Sequence, residues 1–277
     1  MQYNPILSQV ESVCFMGALA VYFAAAALYF VALVVKKEKA GRGAFLLSAV
    51  GFALHTVCIA ARGINAGRLP FTNQYEFATC FAWGITLCFL LFAGKFHFQA
   101  LGTFVVPLVF LVLGYASMQS REIHALMPAL QSRWLGFHVS MAIISYGSFG
   151  VAFAVAMVLV FGNRLKAGGL TDRHLPDEDT LDLIIYRAVA LGFLFLSLCI
   201  VTGAIWAQKV WGSYWSWDPK ETWSLITWII YAIFLHLRLN RGWRGRKAAV
   251  FAIVGFLCVI FTYVGVNTLL AGLHSYA

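Results

Sequence analysis

Eight long apolar runs dominate this chain of 277 residues and restrict the folds that it can adopt. A helix needs about 20 mostly apolar residues to cross the hydrocarbon of a bilayer. Hydrophobic residues make up 61% of the chain and charged residues 11%, whereas soluble domains carry roughly 25% charged residues to wet their surface. We therefore predict an all-α integral membrane protein that forms a single polytopic domain over residues 1–277. Its eight transmembrane helices are expected near 12–35, 44–62, 75–94, 98–118, 134–161, 184–207, 221–238 and 248–270.

The basic residues between these runs predict how the chain is oriented. Most of the 20 Lys and Arg residues fall in one set of alternate gaps, and the positive-inside rule assigns those gaps to the cytoplasm. Because the number of predicted spans is even, both termini are then expected on the outer, periplasmic or lumenal face. The net charge of +9 is explained by this orientation, and we expect no nucleic-acid partner.

The six cysteines are spread singly through or beside the apolar runs, and no two of them form a C-x-x-C pair. A disulfide framework and a dithiol redox motif are therefore not expected. The chain also lacks C-x-x-C-H, the haem attachment motif, so it is not itself a c-type cytochrome.

The predicted outer-face segment 208–223 is a contiguous block of aromatic residues. An interfacial aromatic belt would anchor the neighbouring spans at headgroup depth, but it would spread its rings over many helix ends. The i, i+3, i+4 spacing of Trp211, Tyr214 and Trp215 predicts a short surface helix with these rings on one face. Such a face would be a flat apolar platform for a planar ligand. Its aromatic members are Trp211, Tyr214, Trp215, Trp217 and Trp223.

The same segment contains a helix-start signal. Asp218 is expected to be the N-cap of the seventh span, with Pro219 as its first helical residue and Glu221 as its third, a variant of the capping box. Direct contact between these carboxylates and an acidic ligand would be repulsive. We therefore assign the two acidic residues a structural role.

Three histidines are candidate metal ligands. His138 opens the fifth span and His274 follows the eighth, which predicts both on the outer face beside the aromatic segment. Two imidazoles from different helices can hold a haem iron between them. The alternative is that the two histidines are ordinary polar residues at solvated helix ends. His236 lies late in the seventh span, roughly 22 Å inward from Glu221. An ionisable residue at that depth is a functional candidate, and its proximity to Arg238 also fits an interfacial residue.

The segment from Trp211 to Trp223 resembles the WWD signature of the haem-handling protein superfamily. Its ending, Trp217-Asp-Pro-Lys-Glu-Thr-Trp223, resembles the form found in the CcsA/ResC family of System II cytochrome c biogenesis. Three other stretches resemble the same family, and with the eight-span layout the resemblance covers nearly the whole chain. They are Leu69-Pro-Phe-Thr-Asn-Gln-Tyr-Glu76, which begins in the predicted outer loop 62–75, Gln131-Ser-Arg-Trp-Leu-Gly-Phe-His138, and Gly272-Leu-His-Ser-Tyr276.

The resemblance implies a function in haem delivery. His138 and His274 match the two external histidines that ligate haem beside the WWD segment, whose aromatic rings would pack against the macrocycle. His236 matches the ligand of an inner haem site, whose second ligand is implied to come from a CcsB/ResB-type membrane protein. With that partner the chain would carry haem b to the outer face and attach it to the CxxCH motif of apocytochromes c. It would thus be a component of a holocytochrome c synthase, served by a thiol-reducing system for the apocytochrome.

Two other functions remain open at this stage. One is a haem transporter or chaperone without ligation activity, and the other is a bis-histidine electron-transfer cytochrome linked to quinol. The expected location is the bacterial inner (plasma) membrane, with the thylakoid membrane as the alternative.

The remaining polar residues carry weaker expectations. His55 lies within the second span and is expected to be a satisfied core histidine. Arg68, Arg133 and Lys220 are outer-face candidates for pairing with haem propionates. The acidic residues between the fifth and sixth spans are expected to form a solvated loop; they are Asp172, Asp177, Glu178, Asp179 and Asp182.

Overall fold

The computed structural model describes residues 4–35, 37–96, 101–167, 176–270 and 272, and all regular structure in these ranges is helical. The prediction of an all-α protein is confirmed. The helices are α1 (Pro5–Val35), α2 (Glu38–Ala66), α3 (Gln74–Lys95), α4 (Gly102–Ser117), α5 (Arg133–Ala167), α6 (Glu178–Trp211), α7 (Pro219–Arg241), α8 (Arg246–Ile260) and α9 (Val266–Leu269). A 3₁₀ turn at Pro128–Leu130 precedes α5, and a π-helical turn at Phe261–Gly265 joins α8 to α9.

Seven segments in the described part of the chain are long and apolar enough to cross a membrane. They comprise α1 to α3, α5 to α7, and the continuous stretch Arg246–Leu269. Helix α4 is also apolar but has 16 residues, so it extends roughly 24 Å and is shorter than a typical hydrocarbon core. A membrane protein with multiple spans is confirmed, whereas the count of eight and the outward orientation of the termini stay predictions.

Several helices extend beyond the apolar runs that predicted them. Helix α1 starts at Pro5 and α6 at Glu178, each about two turns before the predicted boundary. Hydropathy marks only the part of a helix suited to hydrocarbon, whereas backbone hydrogen bonding continues through polar turns.

The helices form two compact units. Unit 1 comprises Met1–Ile123 and Phe161–Asp177, and unit 2 comprises His124–Val160 and Glu178–Ala277.

In unit 1, α1 packs along α2 and α4 through one buried stripe. The buried positions recur at alternating intervals of four and three residues, the spacing of a helix–helix seam. Glycines on the facing helices make room for its largest rings: a Cβ at Gly51 would lie 2.9 Å from the Tyr22 ring, and one at Gly102 would overlap Tyr29. Such contacts let helix backbones approach closely in a membrane. The stripe consists of Glu11, Phe15, Ala18, Tyr22, Ala25, Tyr29 and Ala32.

Glu76, in the first turn of α3, is the centre of a buried polar cluster in unit 1. Its Oε1 accepts a hydrogen bond from Arg62 Nε at 2.9 Å, and its Oε2 accepts one from Arg68 Nη1 at 2.9 Å. The backbone N–H and the hydroxyl of Thr72 also donate to Oε2, at 2.8 and 3.0 Å. The stretch that begins at Leu69 and leads into α3 thus forms a loop that closes around the Glu76 carboxylate.

Arg62 extends this cluster to a second loop of unit 1. Its Nη1 donates to the carbonyl oxygen of Arg121 at 2.7 Å and lies 3.5 Å from Glu11 Oε1. The guanidinium of Arg121 lies over the Phe15 ring, 4.3 Å from its centroid. One ion-pair network therefore joins α1, α2, α3 and the segment that follows α4.

In unit 2, Asp182 connects the start of α6 to the end of α7. It is buried, forms an ion pair with Arg238, and accepts a hydrogen bond from Gly245 N–H at 2.7 Å. The prediction of a solvated residue is wrong for Asp182, because α6 begins early enough to carry it into the protein. Asp177, Glu178 and Asp179 are exposed as predicted, and Asp172 lies outside the described residues.

In unit 2, the π-helical turn at Phe261–Gly265 is associated with close packing of the Phe261 ring. The ring of Phe261 lies 4.2 Å, centroid to centroid, from that of Trp223 on α7. A Cβ at Gly265 would approach the Phe261 ring to 2.6 Å, so glycine is required there for this ring position.

Substitution Glu76→Gln is expected to lower the free energy of unfolding by about 3 kcal/mol. Both carboxylate oxygens accept hydrogen bonds, so the NH2 group of a glutamine would face an N–H or O–H donor instead of an acceptor. Denaturant unfolding of the purified protein in detergent measures this change. The exposed residue Glu122, also in unit 1, provides the control. We expect Glu122→Gln to change stability by less than about 0.5 kcal/mol. Equal effects of the two substitutions would contradict the role assigned to Glu76.

Candidate functional site

Most of the predicted site residues lie in unit 2. The structure describes His138, His236 and the aromatic segment 208–223, whereas His274 lies outside the described residues. Gly272, two residues before His274, is described, and a Cβ there would overlap Asp218 Oδ2 and lie 3.0 Å from Pro219 Cδ. The chain therefore passes the start of α7 shortly before it reaches His274.

The aromatic segment forms a loop, and the predicted short helix is wrong. Helix α6 ends at Trp211, because Gly212 adopts a left-handed conformation with φ of 77°. Ser213 then closes a local turn, its hydroxyl donating to the Trp215 carbonyl oxygen at 2.8 Å. Because the helix has ended, the i, i+3, i+4 spacing of Trp211, Tyr214 and Trp215 does not place their rings on one helical face.

The capping box at the start of α7 is confirmed. Asp218 Oδ1 accepts from Lys220 N–H at 2.9 Å, Pro219 is the first helical residue, and Glu221 Oε2 accepts from Asp218 N–H at 3.2 Å. Glu221 Oε2 also accepts from the N–H of Ser216 at 2.8 Å and from its hydroxyl at 3.2 Å. The structural role expected for the two acidic residues is therefore present.

The loop presents its aromatic rings outward. The indoles of Trp215 and Trp217 meet at 90° with centroids 5.7 Å apart, and Trp217 and Tyr214 are 68% and 60% exposed. Trp217 has a φ of 59°, a left-handed conformation that costs an ordinary residue roughly 1–2 kcal/mol. An exposed ring gains little from burial, so apart from its contact with Trp215 the Trp217 side chain does little to offset the strain of its backbone.

His138 lies on α5 and packs against α6. Its Nδ1 is 2.8 Å from the carbonyl oxygen of Cys199, and its ring stacks on Trp206 with centroids 6.0 Å apart. A carbonyl oxygen can only accept, so Nδ1 carries a proton, and in the neutral ring Nε2 then carries the lone pair. This is the tautomer in which imidazole coordinates a metal through Nε2, with a carbonyl oxygen orienting the ring.

Three residues of α6 that sequence reasoning missed set the position of this ring. A Cβ at Gly203 would lie 2.7 Å from His138 Nδ1, so only glycine allows the imidazole to reach Cys199. Trp206 is buried, and its Nε1 donates to the Ala129 carbonyl oxygen at 3.0 Å. The spacing of positions 199, 203 and 206 places them on one face of α6, but no feature of the sequence indicates that this face packs against α5.

The other two histidines of interest have different surroundings. His236 is exposed on α7, and the amide nitrogen of Asn240, one turn later, lies 3.1 Å from its Nδ1. His55 in unit 1 is fully buried, with Tyr22 Oη 3.5 Å from its Nδ1 and no hydrogen-bond partner for Nε2. The expected core location of His55 is found, with one of its two nitrogens satisfied.

Of the three candidate basic residues, Arg68 is bonded to Glu76 in unit 1. Arg133 is exposed at the first position of α5, and Lys220 is half-buried in the first turn of α7. Within the described ranges, no three His, Cys, Asp or Glu side chains are grouped to hold a metal ion.

The profile of the family described as "Cytochrome C assembly protein" matches residues 71–274. The chain is 39% identical over 240 residues to the "Cytochrome c biogenesis protein CcsA" of Chlamydomonas reinhardtii, which covers 83% of this chain and 67% of that protein. It is 34% identical over 292 residues to the protein of the same name from Prochlorococcus marinus strain MIT 9301, covering 96% of this chain and 94% of that protein.

A solved structure shares the fold. The chain named "Cytochrome c Heme Lyase CcmF" matches 95% of this chain with a TM-score of 0.71 and 17% sequence identity. The matched part is 48% of that chain, so this protein spans about half of its length. At this level of identity the likeness shows the fold alone.

Substitution Gly203→Ala is expected to push the His138 imidazole away from Cys199 and to lower the free energy of unfolding by about 1–3 kcal/mol. The ¹⁵N NMR signal of protonated Nδ1 should shift or exchange-broaden. Gly114→Ala is the control, because a Cβ at Gly114 meets no atom within 4 Å. An unchanged Nδ1 signal in Gly203→Ala would contradict the orienting contact.

Proposed function

Because the chain belongs to the CcsA family of cytochrome c biogenesis proteins, we propose that it binds haem b as its substrate. The outer site is built on unit 2, with His138 and His274 as axial ligands of the iron. With a CcsB/ResB-type partner, the protein attaches this haem covalently to the CxxCH motif of apocytochromes c. The observation that carries the proposal is the orientation of His138 by Cys199.

The state of His138 supports a ligand role. A neutral imidazole with Nδ1–H bonded to a carbonyl oxygen directs its lone pair through Nε2, and that hydrogen bond raises the basicity of the ligand. Gly203 and Trp206 restrict the ring from α6, so little ordering remains to be done when the iron binds.

The tryptophan loop supports binding of a planar apolar substrate. Trp217 and Tyr214 offer exposed rings in unit 2, and aromatic side chains contribute large contact areas at small cost in conformational entropy. The carboxylates of Asp218 and Glu221 accept backbone N–H bonds at the start of α7, so they serve the loop structure and are not assigned contacts with the haem propionates. Arg133 and Lys220 are the basic residues of unit 2 assigned to those propionates.

The chemistry needs mainly positioning. Each thioether forms when a cysteine S–H adds across a haem vinyl group: sulfur bonds to the inner carbon and hydrogen goes to the terminal carbon. No oxidant is consumed, provided that the thiols arrive reduced, which is the task of the thiol-reducing system. Holding both reactants in one geometry supplies much of the rate. The histidine of the CxxCH segment can then replace one axial ligand and release the product.

His236 is assigned to an inner site on the delivery route. Its side chain is exposed on α7, which suits an iron whose second ligand comes from the CcsB/ResB-type partner. Haem with ionised propionates does not cross hydrocarbon cheaply, so a route with ligands at two depths is reasonable. We assign the complex to the bacterial plasma membrane, with the thylakoid membrane as the alternative.

The test uses the complex purified with its partner and a co-expressed apocytochrome. For His138→Ala/His274→Ala we expect at least a tenfold loss of covalent haem in the apocytochrome, while the absorption spectrum still shows haem bound at the inner site. For His236→Ala we expect loss of that inner haem.

The control is His124→Ala, an exposed histidine of unit 2 that is assigned no role in the site. Full maturation by the outer double variant would contradict the ligand assignment. Haem binding without any thioether formation in the wild-type complex would indicate a transporter or chaperone without ligation activity. Electron exchange with quinol, but no maturation, would indicate an electron-transfer cytochrome.

A further inference from the structure

Trp217 has an unusual backbone for its side chain. Among the described residues it is the one non-glycine residue with a positive φ, and its indole is largely exposed. A large L-residue in the left-handed region is strained, and such strain persists only where surrounding contacts enforce it. The question is which contacts hold Trp217 in this state.

Glu221 provides those contacts. Its Oε2 accepts from Ser216 N–H and from Asp218 N–H, the backbone donors on either side of Trp217, and also from the Ser216 hydroxyl. The Thr222 hydroxyl donates to the Trp217 carbonyl oxygen at 3.3 Å. One carboxylate therefore binds the chain before and after the strained residue.

Starting a helix does not explain all of these bonds. The capping box needs only the bond from Asp218 N–H, and α7 also has Asp218 as N-cap and Pro219 at its first position. The two bonds from Ser216 lie outside the helix. They fold the loop back toward α7, which gives Glu221 a second task.

We infer that Glu221 is a positioning residue for haem. It fixes residues 216–218 so that the Trp217 indole stands at right angles to Trp215 and is presented to the macrocycle. Glu221 need not contact haem, because its action passes through the backbone of Trp217. The inference rests on the proposed function and adds to it a determinant of the shape of the outer site.

Two measurements on the purified complex test this inference. Near-ultraviolet circular dichroism of the haem-free complex reports the edge-to-face coupling of Trp215 and Trp217, and Trp217→Phe identifies that signal. Haem titration then gives the dissociation constant. For Glu221→Ala we expect loss of the coupling signal and at least a tenfold weaker affinity. Glu221→Gln keeps one acceptor oxygen and should retain most of the signal, with at most a threefold weaker affinity.

Asp179→Ala provides the control, because it removes an exposed first-turn carboxylate from α6, outside the loop. Its signal and affinity should match the wild type. Wild-type coupling in Glu221→Ala would overturn the inference, as would lost coupling with unchanged haem affinity. If the wild-type complex binds no haem, the proposed function fails and the inference fails with it. Unchanged affinity in Glu221→Ala overturns the inference alone.

Discussion

A polar group inside hydrocarbon must bring its own partner, and this requirement organises both units. Backbone groups meet it within helices, and three carboxylates meet it near helix starts. Glu76 on α3, Asp182 on α6 and Glu221 on α7 each lie within the first two turns of a helix. There the helix dipole favours negative charge, and each carboxylate accepts donors from a segment outside its own helix. The same arrangement thus fixes three loops that precede or approach these helix starts.

The two histidine environments differ in how much this chain supplies. His138 is oriented by Cys199 and restricted by Gly203 and Trp206, all from its own unit. His236 is exposed, and its nearest polar contact is Asn240 on the same helix. In the proposed route, a prearranged outer site would favour productive geometry, and an inner site completed by a second subunit would form only in the complex. The difference in preorganisation would direct haem from one to the other.

Local features of this fold were predictable from sequence, and distant contacts were not. The apolar runs predicted eight spans, and seven of them correspond to helices in the described ranges that are long and apolar enough to cross a membrane. The capping box at Asp218 was predictable because its residues are close together along the chain. The contact between His138 and Cys199 joins residues 61 positions apart, and no periodicity encodes it. The helix predicted through Trp211 and Tyr214 was wrong because the spacing rule assumed that the helix continued past Gly212. Asp182 was misassigned because composition marks a loop as polar without locating the first helical residue.

The π-helical turn at Phe261–Gly265 sets the orientation of α9, which follows it. A π turn holds one more residue than an α-helical turn, and each residue of an α-helix advances about 100° around the axis. Helix α9, which follows Gly265, is therefore rotated by about 100° relative to an uninterrupted helix. The chain that leaves α9 after this rotation brings Gly272 against Asp218. The extra residue sets the rotation of α9 about the axis of the last span, so shortening this turn by one residue would turn α9 to face a different side while leaving the composition of the span almost unchanged.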